Sequence, residues 1–347
     1  MRRAVLTTVL LLALTGCAST TPPPAAPTSA TAPTPQPCSP STAITGWSDA
    51  LEGQRFAGRT PAPQVVGNLS ALAALPDGRV LALSDRSVLF TLAAAADRPL
   101  DAVTLADPAG KPLDSESLVV DRDGTLLIGD ETGPQVLRVD LDGRLLGALP
   151  VPPDVVNGGK PNTTLEGLAL SPDGRTLVAS IEEALRGDDP GLTRLVTWTR
   201  PDPSSAFVPG AQYALPLPAG LGVSELTPTG DGRLIALERG YDRATGNTVH
   251  LVLLDPAGAT DIGAVAALAP ATAGTPVRTT LLADLGACPG LGATARQPQR
   301  NPLLDNIEGM TVTGRAPDGA LELLLVSDDN DSPQEVTRTY RLRTTLG

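Results

Sequence analysis

The residues of this chain best suited to chemistry are acids placed at fixed offsets from a recurring turn. The pattern is a short apolar run, an Asp-Gly turn and a second apolar run that ends in an acid. It occurs from Ser70 through Asp77-Gly78 to Asp85, from Glu116 through Asp123-Gly124 to Asp130, and from Glu166 through Asp173-Gly174 to Glu182. Two more copies run from Ser224-Glu225 through Asp231-Gly232 to Glu238 and, stretched, from Glu308 through Asp318-Gly319 to Asp328. In an antiparallel hairpin, residues equidistant from the turn are neighbours. Glu116 is therefore expected beside Asp130, Ser70 beside Asp85, Glu166 near residues 180–182, and Ser224 or Glu225 near Glu238. Carboxylates gathered in this way repel one another, and must either bind protons or recruit a cation. Hard oxygen ligands suit calcium, which takes ~6–8 of them. The expected metal ligands are Glu116, Glu166, Glu308, Asp85, Asp130 and Asp328, with Asn306, Asp329, Asn330 and Asp331 enriching the last of these sites in oxygen. Arg86 and Arg239 each follow one of the acids directly. They are the expected substrate-binding residues, since a guanidinium fork matches a phosphate or carboxylate.

Other chemistries are excluded by residue type. The single histidine, His250, lies in an apolar strand and is read as structural, so sites needing two imidazoles are ruled out. No Gly-x-Ser-x-Gly motif is present, and no Ser/His/Asp set can be built, so no catalytic residue is assigned. Acids outnumber bases 38 to 26, which disfavours nucleic acid as a partner.

The elements that must position the acids follow from the repeat. Asp-Gly between apolar runs marks a tight turn, and further strands follow several hairpins, as in the run from Val136 to Asp140 and that from His250 to Leu254. Gly and Pro number 35 each, which fits many short elements and excludes an all-helical bundle. With only 3 Phe, 3 Tyr and 2 Trp, the core must be aliphatic. Radial repetition of three- or four-stranded units at this period indicates an all-β propeller, and a domain of ~300 residues at ~50 per blade predicts six blades. One of the six would be a weak unit around residues 277–284. A β-sandwich or two stacked barrels is the alternative. In a propeller the innermost strands line the axis, so the acids are expected to ring one mouth of the channel.

At these residues the chain resembles the phytase-like family, described as having esterase-like activity, in exported bacterial proteins. The resemblance rests on Leu83-Ser84-Asp85-Arg86, Asp114-Ser115-Glu116-Ser117-Leu118, Glu166-Gly167-Leu168-Ala169 with Ser171-Pro172-Asp173-Gly174, Leu237-Glu238-Arg239-Gly240, Asn306-Ile307-Glu308-Gly309 and Val326-Ser327-Asp328-Asp329-Asn330. It covers roughly residues 60–345 in order. Ser87 departs from the family's usual Gly after Asp-Arg, and Ser117 from its Glu-Gly. The resemblance implies a propeller that depends on calcium and acts on phosphate or other esters. After the first 17 residues the chain holds only Lys111 and Lys160 as lysines, which favours a smaller ester over an inositol phosphate.

The first segment is an address. Arg2 and Arg3 precede an apolar stretch over residues 4–14, and Leu14-Thr15-Gly16-Cys17 matches the bacterial lipoprotein box, in which the cysteine is lipidated. The expected organisation is a signal peptide over residues 1–17 with Cys17 lipidated, an uncharged Pro/Thr/Ala-rich tether over 18–40 and a propeller domain over 41–347. This places the protein outside the cell as a surface lipoprotein anchored to the membrane, and as a monomer. The two remaining thiols, Cys38 and Cys288, are expected to form a disulfide in that oxidising compartment. The functional expectation is a calcium-assisted esterase or phosphoesterase acting on a small molecule. Two alternatives stay open: a non-catalytic propeller that binds a cation or ligand, and a lactonase-like hydrolase.

Overall fold

The computed structural model describes residues 34–347 except Pro108 and Thr132. The expected signal peptide, Cys17 and the first part of the tether lie outside the described residues. Five antiparallel sheets carry the fold, each strand pairing with the next in the chain. The first blade comprises Leu69–Ala74, Val80–Ser84, Val88–Leu92 and Pro99–Thr104, and the second Ser115–Val120, Leu126–Asp130, Gln135–Val139 and Leu145–Leu149. The third comprises Leu165–Leu170, Thr176–Ile181, Leu192–Thr199 and Val208–Pro216, and the fourth Gly222–Pro228, Leu234–Asp242, Gly246–Asp255 and Arg278–Asp284. The fifth is closed by the two ends of the domain: Asn306–Arg315, Leu321–Asp328 and Thr339–Thr344 are joined by Thr42–Ser48, with Gln36–Pro37 on its edge. The first strands of successive blades pack against one another, and the last packs against the first, so the sheets form a closed ring. This closure leaves each blade only a short outer edge exposed to pairing.

Five blades replace the expected six. Residues 277–284 are not the seed of another blade, because Arg278–Asp284 is the outer strand of the fourth, paired with Gly246–Asp255. The length that suggested a sixth unit lies in two excursions. Residues 256–277 fold back over the third blade, where Ile262, Leu268 and Ala273 pack on Leu192 and Ala214. The Asp261 carboxylate accepts the Gln212 N–H there at 3.1 Å. Residues 285–305 lead to the fifth blade and are held by Arg338, whose buried guanidinium donates to the carbonyls of Thr294, Pro302 and Leu303 while pairing with Asp49.

The repeated turn is built as its composition dictates. The glycines of the five Asp-Gly turns have φ between 71° and 96°, a region closed to most side chains. In each turn the Asp carboxylate accepts the N–H two residues on, at Arg79, Thr125, Arg175, Arg233 and Ala320. The core lies in five layers between adjacent blades and is aliphatic, as where Leu83 and Leu89 of the first blade meet Leu118 and Ile128 of the second. Cys38 and Cys288 are bonded, with their sulfurs 2.00 Å apart, and join the start of the domain to the segment after the fourth blade. The pairing of residues 36 and 37 with 44 and 43 brings the end of the expected tether into the fold. Among the described residues no helix is long and apolar enough to cross a membrane.

Candidate functional site

One irregularity, repeated in every blade, builds the site. Each innermost strand carries a β-bulge at the same place. In the first blade Leu69 pairs with Ser84 and Ala71 with Leu83, so Ser70 is the extra residue. In the second, Ser115 and Ser117 pair with Asp130 and Gly129 and leave Glu116. In the third, Leu165 and Leu168 pair with Ile181 and Ala179, which sets Glu166 and Gly167 against Ser180 alone. The fourth leaves Ser224 between Val223 and Glu225, and the fifth leaves Glu308 between Ile307 and Gly309. A bulge puts two residues opposite one and re-aims a side chain. It does so here for Ser70, Glu116, Glu166, Ser224 and Glu308.

The residue after each bulge is small in four blades because the innermost strands nearly touch there. A Cβ on Gly167 would lie 2.5 Å from the Leu226 nitrogen and 2.7 Å from the Glu225 carbonyl carbon. In the fourth blade that position holds Glu225, which the sequence leaves level with Ser224 as a candidate for the ring. Its buried carboxylate instead accepts the N–H of Leu226 at 2.8 Å and of Leu168 at 3.3 Å, and burial pushes its pKa well above the usual range.

A second tier comes from the neighbouring strand of each hairpin. The residue that follows the partner of the residue before the bulge is Asp85, Glu131, Glu182, Arg239 and Asp328 in blades one to five. The N–H groups of Asp85, Glu131 and Glu182 all bond the carbonyl that precedes the innermost strand, at Asn68, Asp114 and Thr164. This corrects the expected place of Asp130. Counting outward from the turn ignores the bulge, which shifts the register by one, so Glu131 takes the position assigned to Asp130. The Asp130 carboxylate accepts the N–H of its neighbour Asp114 at 3.0 Å and the Gln135 amide at 2.8 Å, and so braces the site. In the fourth blade the same shift puts Arg239 in the tier and turns Glu238 away toward His250, with Nδ1 and Oε2 3.9 Å apart.

The two tiers face each other as charges. Arg239 Nη2 lies 2.8 Å from Glu308 Oε1 and 3.6 Å from Glu182 Oε1. Burial alone would lower the Arg239 pKa, but Glu308, Glu182, Glu166 and Glu116 hold it above its usual value. Burial, reinforced by Glu308 and Glu131, raises Glu116 well above the carboxylate range, and burial with Glu182 and Glu116 does the same to Glu166. Burial lifts Glu131 and Glu182 each to about 7, Asp85 to about 6 and Asp328 to about 9. Asp85, Asp114 and Glu116 each offer a carboxylate oxygen, and these oxygens lie within 4.8 Å of one another. Asn68, at φ 53°, accepts the Asp85 N–H through its backbone carbonyl and donates through its amide nitrogen to Asp331 at 2.9 Å. Its side-chain oxygen is buried without a hydrogen-bond partner among the described residues. Asn306 donates to Glu308 at 2.9 Å, Asp329 accepts the Asn68 N–H at 2.9 Å, and Asn330 donates to both Asp328 and Glu335. Arg86 is more exposed, with Nε 3.6 Å from Asp85 and Nη2 3.2 Å from Asp331. Of the expected residues, then, the structure gathers Glu116, Glu166, Glu308, Asp85, Asp328 and Arg239, sets Arg86 at the rim, and adds Asp114, Glu131 and Glu182. Asp114 stands in the quoted motif two residues before Glu116, and Glu131 follows Asp130 and is revealed by the bulge.

Fold and site together define a five-bladed β-propeller with a two-tiered, mostly acidic channel mouth. Residues 64–331 match the phytase-like family, described as "esterase-like activity of phytase", and the chain belongs to that family. An uncharacterized secreted protein of Arthroderma benhamiae is 31% identical over 105 residues, covering 22% of this chain and 20% of the relative, so the match spans one fifth of the relative's length. Solved structures similar to this one include a gluconolactonase from Xanthomonas campestris, with 14% identity, 88% and 82% of the two chains covered and a TM-score of 0.43. Regucalcin, a calcium-binding protein from Agrobacterium tumefaciens, has 16% identity, coverage of 82% and 80% and a TM-score of 0.38.

Proposed function

We propose that the channel mouth is a calcium-binding ester hydrolase site in an exported, lipid-anchored propeller. The observation that carries this reading is the convergence of carboxylate oxygens of Asp85, Asp114 and Glu116 within 4.8 Å of one another. Three hard carboxylate oxygens fit calcium and suit softer metals poorly. The family's esterase-like description supports ester hydrolysis, and similarity to a secreted protein supports export.

Asp85, Asp114 and Glu116 would hold the cation. A bound divalent cation supplies charge that polarises an ester carbonyl and acidifies a water. Glu182, lifted by burial to a pKa of about 7 and 3.6 Å from Arg239, is matched to accepting a proton near neutral pH. Arg239 is fixed through Nη2 on Glu308, while its buried Nε lacks a hydrogen-bond partner among the described residues. That Nε–H is the donor available to an oxygen on which negative charge develops. A second reading, a propeller that binds a cation without turnover, draws on the same convergence of Asp85, Asp114 and Glu116. A panel of phosphate esters, carboxylic esters and lactones, each with calcium and with chelator, separates the two. Calcium-dependent turnover of one class, reduced in Glu182→Gln, is the expected result, and calcium binding with no turnover in any class would establish the second reading.

A further inference from the structure

A cavity of about 380 Å³ opens beside the second tier, between the third and fourth blades. Exposure orders its wall from floor to rim. Of the charged side chains, Glu182 and Arg239 lie deepest, 11% and 24% exposed. Lys160 and Glu183 stand farther out, their charged groups 3.4 Å apart, and Tyr241 is 54% exposed at the rim. Arg239 and Tyr241 are two apart in a regularly paired stretch of one strand, so both project from the same side of the blade. Glycine is required where Glu182 meets the fourth blade, because a Cβ on Gly222 would lie 2.7 Å from the Glu182 Cγ.

Two properties of this wall point to one class of ligand. Its charges balance, Lys160 and Arg239 against Glu182 and Glu183, although the mouth it adjoins is mostly acidic. Polar groups also share the wall with Pro218, Leu221 and the Tyr241 ring. We infer that the outer part of this cavity binds a neutral sugar, with hydroxyls on the Lys160–Glu183 pair and an apolar C–H face on the Tyr241 ring. A hydroxyl donates and accepts at once, so neighbouring hydroxyls can engage the Lys160 ammonium and the Glu183 carboxylate without separating them. A charged ligand would be attracted by one member of that pair and repelled by the other, and an anion would also meet the acids of the mouth. The ring supplies a broad amphipathic surface at little cost in conformational freedom. The volume falls in the range of small-molecule sites, roughly 300–1,000 Å³. The inference names the class of molecule brought to the mouth, and rests on the proposed hydrolase reading only for what becomes of the sugar once bound.

The test measures binding and needs no turnover. The full chain with calcium is titrated with methyl glucoside, methyl galactoside and methyl mannoside, followed by NMR, and then with the 6-phosphate of each glycoside that binds. At least one neutral glycoside is expected to bind, and its 6-phosphate to bind more weakly. Tyr241→Ala should weaken the neutral glycoside by about threefold to tenfold, the scale of one aromatic contact, while Tyr241→Phe keeps its affinity. No binding of any of the three glycosides overturns the inference, as does binding that is indifferent to Tyr241→Ala or tighter for the 6-phosphate. Binding of the predicted kind in a protein that hydrolyses no ester would support the sugar site and count against the hydrolase reading alone.

Discussion

Arg239 is the residue on which the mouth's charge balance turns. One guanidinium stands against Glu308, Glu182, Glu166 and Glu116, and removing one partner of a buried charged set costs about 3–5 kcal/mol. Arg239→Met should therefore be less stable in chelator than the wild type and should gain more from added calcium, as followed by chemical denaturation. Equal calcium gains in both proteins would place Arg239 outside the electrostatics of the site. Neighbouring Asp130 and Glu131 offer a sharper contrast. Asp130 braces backbone, so Asp130→Asn is expected to cost about 1–3 kcal/mol, the scale of a disturbed buried hydrogen bond. Glu131 belongs to the tier and influences Glu182 and Glu116, so Glu131→Gln should alter calcium affinity with little loss of stability. The opposite pattern in paired calorimetric titrations would restore Asp130 to the ring.

At the scale of the element, the bulge separates what the residue string disclosed from what it concealed. The Asp-Gly turns, the alternating apolar strands and the inward placement of Glu116, Glu166 and Glu308 were legible, because turn chemistry and strand period are local. The bulge was not legible, since it depends on how closely adjacent innermost strands approach, a tertiary fact marked in sequence only by the small residues Ala71, Ser117, Gly167 and Gly309. Missing it moves the count across the turn by one in the second and fourth blades, which is why Asp130 stood where Glu131 belongs. The number of blades was obscured for a similar reason: chain length was divided evenly, whereas residues 256–277 and 285–305 are loops clasped by Asp261 and Arg338. The close approach itself is testable. Gly167→Ala puts a methyl 2.5 Å from the Leu226 nitrogen and should destabilise the fold by about 2 kcal/mol or more, within the range of overpacking changes. A neutral effect on the denaturation midpoint would mean that the innermost strands are free to separate.

Across the whole molecule, ring closure and charge determine stability together. The disulfide spans 250 residues of sequence and fastens the segment that supplies the closing strand Thr42–Ser48. Cys38→Ser should cost about 2–5 kcal/mol in reversible denaturation, and a loss near zero would show that strand pairing closes the ring unaided. The acids set the pH response. Asp85 at about 6, Glu131 and Glu182 at about 7 and Asp328 at about 9 all lie above the unfolded value of ~4, so the folded state holds protons that the unfolded state has released. That contribution is present in full below pH ~4 and is lost as pH rises through these values. In chelator, stability should fall from pH 5 to pH 9, and calcium should flatten the decline because it compensates the ionised forms.

The calcium response itself is the most direct measurement of the central claim. A cation held by Asp85, Asp114 and Glu116 only in the folded state stabilises it by ~2.7 kcal/mol at a hundredfold excess over the dissociation constant, which corresponds to a rise in Tm of about 4 °C or more for a domain of this size. Melting curves at pH 7.5, with calcium and with chelator, are predicted to differ by at least that amount in the wild type and to draw together in Glu116→Gln. Curves that coincide with calcium and with chelator, in the wild type and the variant alike, would contradict the account and leave the acidic mouth as a store of protons rather than a cation site.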